Sequence, residues 1–234
     1  MRPKWRDLLF LHWDFAPHEI QNRLPEGLEV ETFENRAYLG LVPFEMRDVR
    51  PFWAPNLGRL GAWYDQFPEL NVRTYVRRAM PDGSWRSGVW FFSLDAQSLA
   101  AVCAARAWFG LPYFKARMRF RRRENRFDFF SNRLWPAPKN AICRAKWRSE
   151  TAVFRAQPGS LEAFLVERYT LFSWRNDQFF AGEVAHEPYV LQNAKIEFLQ
   201  ESCLRAAGFS RPEKPPHVLF SRGVDVEVFG LERV

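Results

Sequence analysis

Apolar residues along this chain recur mainly at alternate positions, in short runs broken by turn signals, and that pattern restricts it to a fold built mostly of strands. Strands are expected at Leu8 to Phe15, Leu28 to Phe33, Ala37 to Phe44, Leu70 to Arg78 and Val89 to Asp95. Further runs follow at Pro112 to Arg123, Phe127 to Arg133, Ile142 to Arg148, Tyr169 to Trp174, Phe179 to Val184, Ala194 to Gln200 and Val218 to Leu231. Glu34-Asn35, Pro81-Asp82-Gly83-Ser84 and Glu124-Asn125 read as hairpin turns. Three stretches break the alternation. Pro17 to Leu24 reads as a short helix, closed by the turn Pro25-Glu26-Gly27. Ser98 to Phe109 carries Leu99, Val102, Arg106 and Phe109 at helical spacing, with Gly110 as C-cap. Ser160 to Arg168 is the third.

Many short strands with few helices predict an α+β fold, an antiparallel sheet curled into a barrel or cone with flanking helices. Such a sheet either packs solid or encloses a small-molecule cavity. The 234 residues, with 23 Phe and 10 Trp, supply one large core without a staple. The proline patches at Pro51 to Pro55, Trp135 to Pro138 and Pro212 to Pro216 are short and lead at once into apolar segments. One domain over residues 1–234 is therefore expected.

No apolar run reaches the roughly 20 residues of a membrane span, and His12 and Asp14 interrupt the first one before it resembles a leader. Cys103, Cys143 and Cys203 are odd in number and form no CxxC pair, which suits reduced thiols in the cytoplasm. His12, His18, His186 and His217 lack ligand spacing, so neither a metal nor a cofactor is expected. The net charge of +7 is spread among 27 acidic residues. Arg117, Arg119, Arg121, Arg122 and Arg123 alternate with Met118 and Phe120 as in a half-exposed hairpin, and no nucleic-acid partner is expected. An edge strand offers a route to a homo-oligomer.

Several segments resemble the YqjF-like family of the acetoacetate decarboxylase superfamily. They include Trp5-Arg6-Asp7-Leu8-Leu9-Phe10-Leu11-His12-Trp13, Gly40-Leu41-Val42-Pro43-Phe44, Phe67-Pro68-Glu69-Leu70-Asn71-Val72-Arg73-Thr74-Tyr75-Val76 and Gly110-Leu111-Pro112-Tyr113. The resemblance implies a β-cone with a buried site. It also implies relatives in which a lysine of depressed pKa forms a Schiff base with a β-keto acid. Those decarboxylases carry adjacent lysines after Gly-Phe-Pro, whereas Tyr113 and Phe114 follow Gly110-Leu111-Pro112 here.

On the strand after Phe67, Glu69, Asn71, Arg73 and Tyr75 leave one face. In an ordinary sheet that row meets water; in a cone it lines the pocket. The resemblance favours the pocket and makes Glu69 the candidate for the decarboxylases' cavity glutamate. Glu69 and Arg73 stand about 13 Å apart along a strand, far enough to hold opposite ends of a small ligand with Asn71 between them. Lys115 leaves the same face as Tyr113, so it joins the pocket if Tyr113 does. The expected catalytic residues are Glu69 and Lys115, and the ligand-binding residues are Asn71, Arg73, Tyr113 and Arg106. The partner is a small organic acid or carbonyl compound, transformed by lyase- or hydrolase-like chemistry or held without chemistry.

Overall fold

The structure is a computed structural model that describes residues 1–49, 66–137 and 140–234. Its first strands are β1 (Lys4–Phe15), β2 (Glu29–Val30), β3 (Ala37–Arg47), β4 (Phe67–Ala79) and β5 (Trp85–Ala96). Next come β6 (Tyr113–Arg123), β7 (Arg126–Trp135), β8 (Ile142–Ser149), β9 (Phe154–Arg155) and β10 (Thr170–Arg175). The last are β11 (Gln178–Ala185), β12 (Val190–Glu201), β13 (His217–Asp225) and β14 (Glu227–Arg233). The helices are α1 (Pro17–Gln21), α2 (Leu99–Ala104), α3 (Leu161–Val166) and α4 (Cys203–Ala206).

All strands join one sheet, and it closes into a ring in the order β5-β6-β7-β8-β12-β13-β1-β3-β4 and back to β5. Pairing is antiparallel except where β5 meets β6 and β10. A parallel neighbour requires a crossover, and α2 supplies it between β5 and β6. The Ser98 hydroxyl caps α2 by accepting from the Ala101 amide, and the helix continues through a π-turn (Ala105–Phe109) to Gly110 in the left-handed region. Beyond the ring, β10, β11 and β14 extend outward from β5.

Two sequence expectations change. Glu34 and Asn35 do turn the chain, with φ of 48° and 59° and a Phe33–Arg36 bridge. However, β2 pairs with β4 and not with β3, so the turn is not the tip of a β2–β3 hairpin. The final run divides at Val226, whose amide donates to the Pro3 carbonyl, giving β13 and β14 in place of one strand. Pro51 to Pro55 lies outside the described residues.

β1, β3 and β4 are buried on both faces. Leu9, Leu11, Trp13, Leu39, Leu41, Leu70 and Val72 enter one core with Phe127, Phe129 and Trp147. Leu8, Phe10, Tyr38, Val42, Phe44, Phe67 and Tyr75 enter a second with Leu165, Tyr189 and Leu219. Each such side chain contributes about 1.5–3 kcal/mol by leaving water.

β5 carries the junction. Its long edge pairs with β4, while its other edge is divided between β10 at Val89 and Trp90 and β6 at Leu94 to Ala96. Gly88 permits the first of these, because a Cβ there would lie 2.8 Å from the Thr170 carbonyl oxygen and 2.9 Å from the Phe172 ring. At the second, Arg133 of β7 donates through Nε to Asp95 Oδ1 at 2.9 Å, with Nη2 2.8 Å from the same oxygen, and both side chains are buried. The Arg133 guanidinium also lies 3.8 Å from the centre of the Phe114 ring. Burial pushes the Asp95 carboxyl up to about 6 against the opposing pull of Arg133. Removing one partner strands the other charge, so Arg133→Met should cost about 3–5 kcal/mol in urea unfolding. The double variant Asp95→Leu/Arg133→Met should recover most of that loss, and a double variant as unstable as the single one would rule this account out.

Candidate functional site

The second core holds an unusual share of polar groups. Glu69, Asn71, Arg73 and Tyr75 leave the same face of β4 as Phe67, and that face points into this core. Glu69, Asn71 and Tyr75 are buried and Arg73 is half-buried. The alternative in which the row meets water is therefore excluded.

Glu69 and Tyr113 meet directly. Tyr113 follows the Gly110 cap into β6, next to β5 and hence one strand beyond β4. Its hydroxyl donates to Glu69 Oε2 at 3.1 Å. Burial pushes the Glu69 carboxyl up to about 8, while bonds from Tyr113 and Asn71 oppose the shift. At neutral pH Glu69 is thus mostly a neutral acid with a proton to donate. Burial, together with the Glu69 charge, drives the Tyr113 phenol well above its ordinary value.

Arg73 occupies the other end of the row. Its Nη2 donates to the Leu165 carbonyl at 3.2 Å, and its guanidinium lies over the Phe10 and Tyr75 rings at 5.7 and 5.8 Å. Among the described residues no carboxylate pairs with it, and its Nε is buried without a partner. The Tyr75 hydroxyl also donates to the Leu165 carbonyl, at 2.6 Å. With its only proton committed there, Tyr75 accepts from His12 Nε2 at 2.6 Å. That fixes the His12 tautomer and leaves Nδ1 as a buried acceptor without a partner among the described residues. Burial and the Arg73 charge hold His12 well below its ordinary pKa, so the ring is neutral. Gly40 makes room for it, since a Cβ there would lie 2.9 Å from His12 Nε2. Asn71 Oδ1 is a further buried atom without a partner among the described residues.

The structure thus brings Glu69, Asn71 and Tyr113 together and places Arg73 on the same strand face. Of the two other expected residues, Lys115 is set across Ala96 from Glu69 by the strand register, and Arg106 lies outside the row. The Lys115 ammonium donates to the Gln97 carbonyl, and burial lowers its pKa. Arg106 is exposed, donates to the Tyr113 carbonyl at 2.8 Å and lies near the Phe114 and Trp135 rings. His12, Tyr75, Tyr189 and His186 surround the Arg73 end, and sequence reasoning assigned them no ligand role. Tyr75 had a signal, its place in the alternating row. Tyr189 had none, since it lies in the segment before β12. Among the described residues no cluster of His, Cys, Asp or Glu forms a metal site.

The family described as an uncharacterized conserved protein, DUF2071, matches residues 2–225. The chain belongs to the DUF2071 family. It is 33% identical over 233 residues to YqjF of Bacillus subtilis (strain 168), covering all of this chain and 92% of that one. Among solved structures, the enduracididine biosynthesis enzyme MppR complexed with pyruvate superposes with a TM-score of 0.66 at 14% identity, covering 99% of this chain and 89% of that chain. An acetoacetate decarboxylase-like enzyme from Sphingomonas wittichii RW1 gives 0.64 at 12% identity, over 100% and 92%. The DUF2071 chain therefore has the acetoacetate decarboxylase-like fold. No helix among the described residues is long and apolar enough to cross a membrane.

The raised Glu69 carboxyl sets a pH dependence. The folded state holds this proton above the ordinary carboxylate value of 4.5, so its contribution to stability is complete below about 4.5 and is lost as pH rises towards 8. Relative to Glu69→Gln, the wild type should lose about 3–5 kcal/mol between pH 5 and 8.5. Urea midpoints across that range measure the difference, and parallel curves would show that Glu69 titrates normally.

Proposed function

We propose that this protein binds a small organic acid bearing a carbonyl group in the second core, with Arg73 holding the carboxylate and Glu69 with Tyr113 facing the carbonyl end. The observation that carries the reading is a buried neutral carboxyl on the same strand face as a half-buried arginine without a carboxylate partner among the described residues. A buried cation without a counter-charge is costly unless a ligand supplies one. A carboxylate offers a guanidinium a charge-assisted, two-pronged contact. Protonated Glu69 would donate to a carbonyl oxygen, and the open Asn71 Oδ1 and His12 Nδ1 would accept from hydroxyl or enol groups. The fold neighbour complexed with pyruvate supports this class of ligand by analogy of fold alone.

The reading leaves out the Schiff base, because Tyr113 stands after Gly110-Leu111-Pro112 and the Lys115 ammonium is held at the Gln97 carbonyl. What remains for chemistry is proton transfer by Glu69 next to a bound carbonyl, of the kind that precedes lyase or hydrolase steps. A purely binding role is the second reading, favoured by the same replacement of the lysine pair. On this reading the site belongs to a single cytoplasmic domain, in keeping with its free cysteines.

Calorimetric titration with pyruvate, acetoacetate and levulinate tests the proposal. At least one should bind, and Arg73→Ala should weaken it by tenfold or more, about 1.4 kcal/mol. Affinity should fall above pH 8 as Glu69 ionises, and Glu69→Gln should remove that fall. Borohydride treatment with the bound acid should leave no adduct on any lysine. Full binding by Arg73→Ala would overturn the assignment.

A further inference from the structure

The outer face of the ring across β6, β7, β8 and β12 is a continuous basic surface that the sequence run displayed only in part. Strand pairing sets Arg119 beside Phe130 and Phe130 beside Arg144, with Arg121, Asp128, Lys146 and Phe198 in the next row. Arg117 and Arg148 flank these rows. Arg117, Arg119, Arg121, Arg144, Lys146 and Arg148 are all exposed. The anions on the same face are Asp128, 3.8 Å from Arg119, and Glu197 at a bulge in β12. No other carboxylate among the described residues pairs with these six cations. Phe198 is 47% exposed and Phe130 half-buried, with the Arg144 guanidinium 5.5 Å from the Phe130 ring. Between them runs an open groove of about 730 Å³.

We propose that this sheet face binds single-stranded nucleic acid. Alternate residues on a strand stand about 6.6 Å apart and adjacent strands about 4.8 Å apart, so the cations form a lattice along which an extended phosphate backbone meets one charge after another. Phenyl rings set among those charges give unpaired bases a stacking surface, which a base-paired duplex cannot use. A second copy of this chain is a poor occupant, because the two-fold contact would press one basic face against another. The proposal is independent of the Glu69 site, which lies in the second core.

Fluorescence anisotropy with a labelled oligothymidylate of about twelve nucleotides tests it on the full chain. Binding should be present at about 50 mM salt and fall with salt at a log–log slope of about −2 to −4, as for three to six neutralised phosphates. Arg119→Glu/Arg144→Glu/Lys146→Glu should weaken binding at least tenfold and flatten the slope by about 2. Phe130→Ala/Phe198→Ala should weaken binding about tenfold and leave the slope unchanged. Circular dichroism and keto-acid titration verify that each variant is folded. If the charge variant fails to fold, the wild-type slope and the phenylalanine pair still decide the matter. Absence of binding at 50 mM salt, unchanged binding by the variants, tighter binding to a duplex, or binding to phosphatidylglycerol vesicles in place of the oligonucleotide would each overturn the proposal.

Discussion

The ring depends on one strand serving three neighbours. β5 commits its whole long edge to β4 and divides the other between β10 and β6, so closure and the outward branch meet within a few residues. Such a junction has little tolerance for displacement. Gly88 lets β10 approach at one end, and at the other the buried Asp95–Arg133 pair ties β5 to β7 across β6. A buried ion pair contributes little net stability compared with apolar packing, but it makes any register that separates the two charges expensive. That specificity matters here, because Tyr113 enters β6 at this junction and its position decides what faces Glu69.

The polar row of β4 owes its chemistry to being covered. The same four residues on a solvated strand would have ordinary pKa values and water for partners. Covered in the second core, Glu69 keeps its proton, and Arg73, beside Phe10 and the Leu165 carbonyl, keeps a nitrogen without a partner among the described residues. Tyr113 extends this logic. A phenol driven upward by burial donates a hydrogen bond but offers no nucleophile at neutral pH.

Much of the fold was legible because alternation and turn chemistry are local. The runs at β1, β3 to β8 and β10 to β12 lie close to their expected places, and the Ser98 cap and Gly110 stop bracket the crossover helix. Pairing order was less legible: Glu34-Asn35 makes its turn, yet β2 finds β4, because partners are chosen by packing across the chain. In the site, the period-two row of Glu69, Asn71 and Arg73 was readable, as was the face that Lys115 shares with Tyr113. Lys115 follows the same parity, but its long flexible stem reaches a backbone carbonyl instead. His12 gave no signal for its tautomer, which depends on Tyr75 and Leu165 many residues away.

The burial of β1, β3 and β4 on both faces has a mechanical consequence. These strands form a partition between two packed compartments, and Leu70 and Val72 alternate along the same backbone with Glu69, Asn71 and Arg73. Close-packed interiors transmit displacement with little loss. A group that draws Arg73 or Glu69 by a fraction of an ångström also presses Leu70 and Val72 against Leu9, Leu41 and Phe129 on the far side. The two compartments thus share one wall, and the packing on either side of it sets the fit of the other.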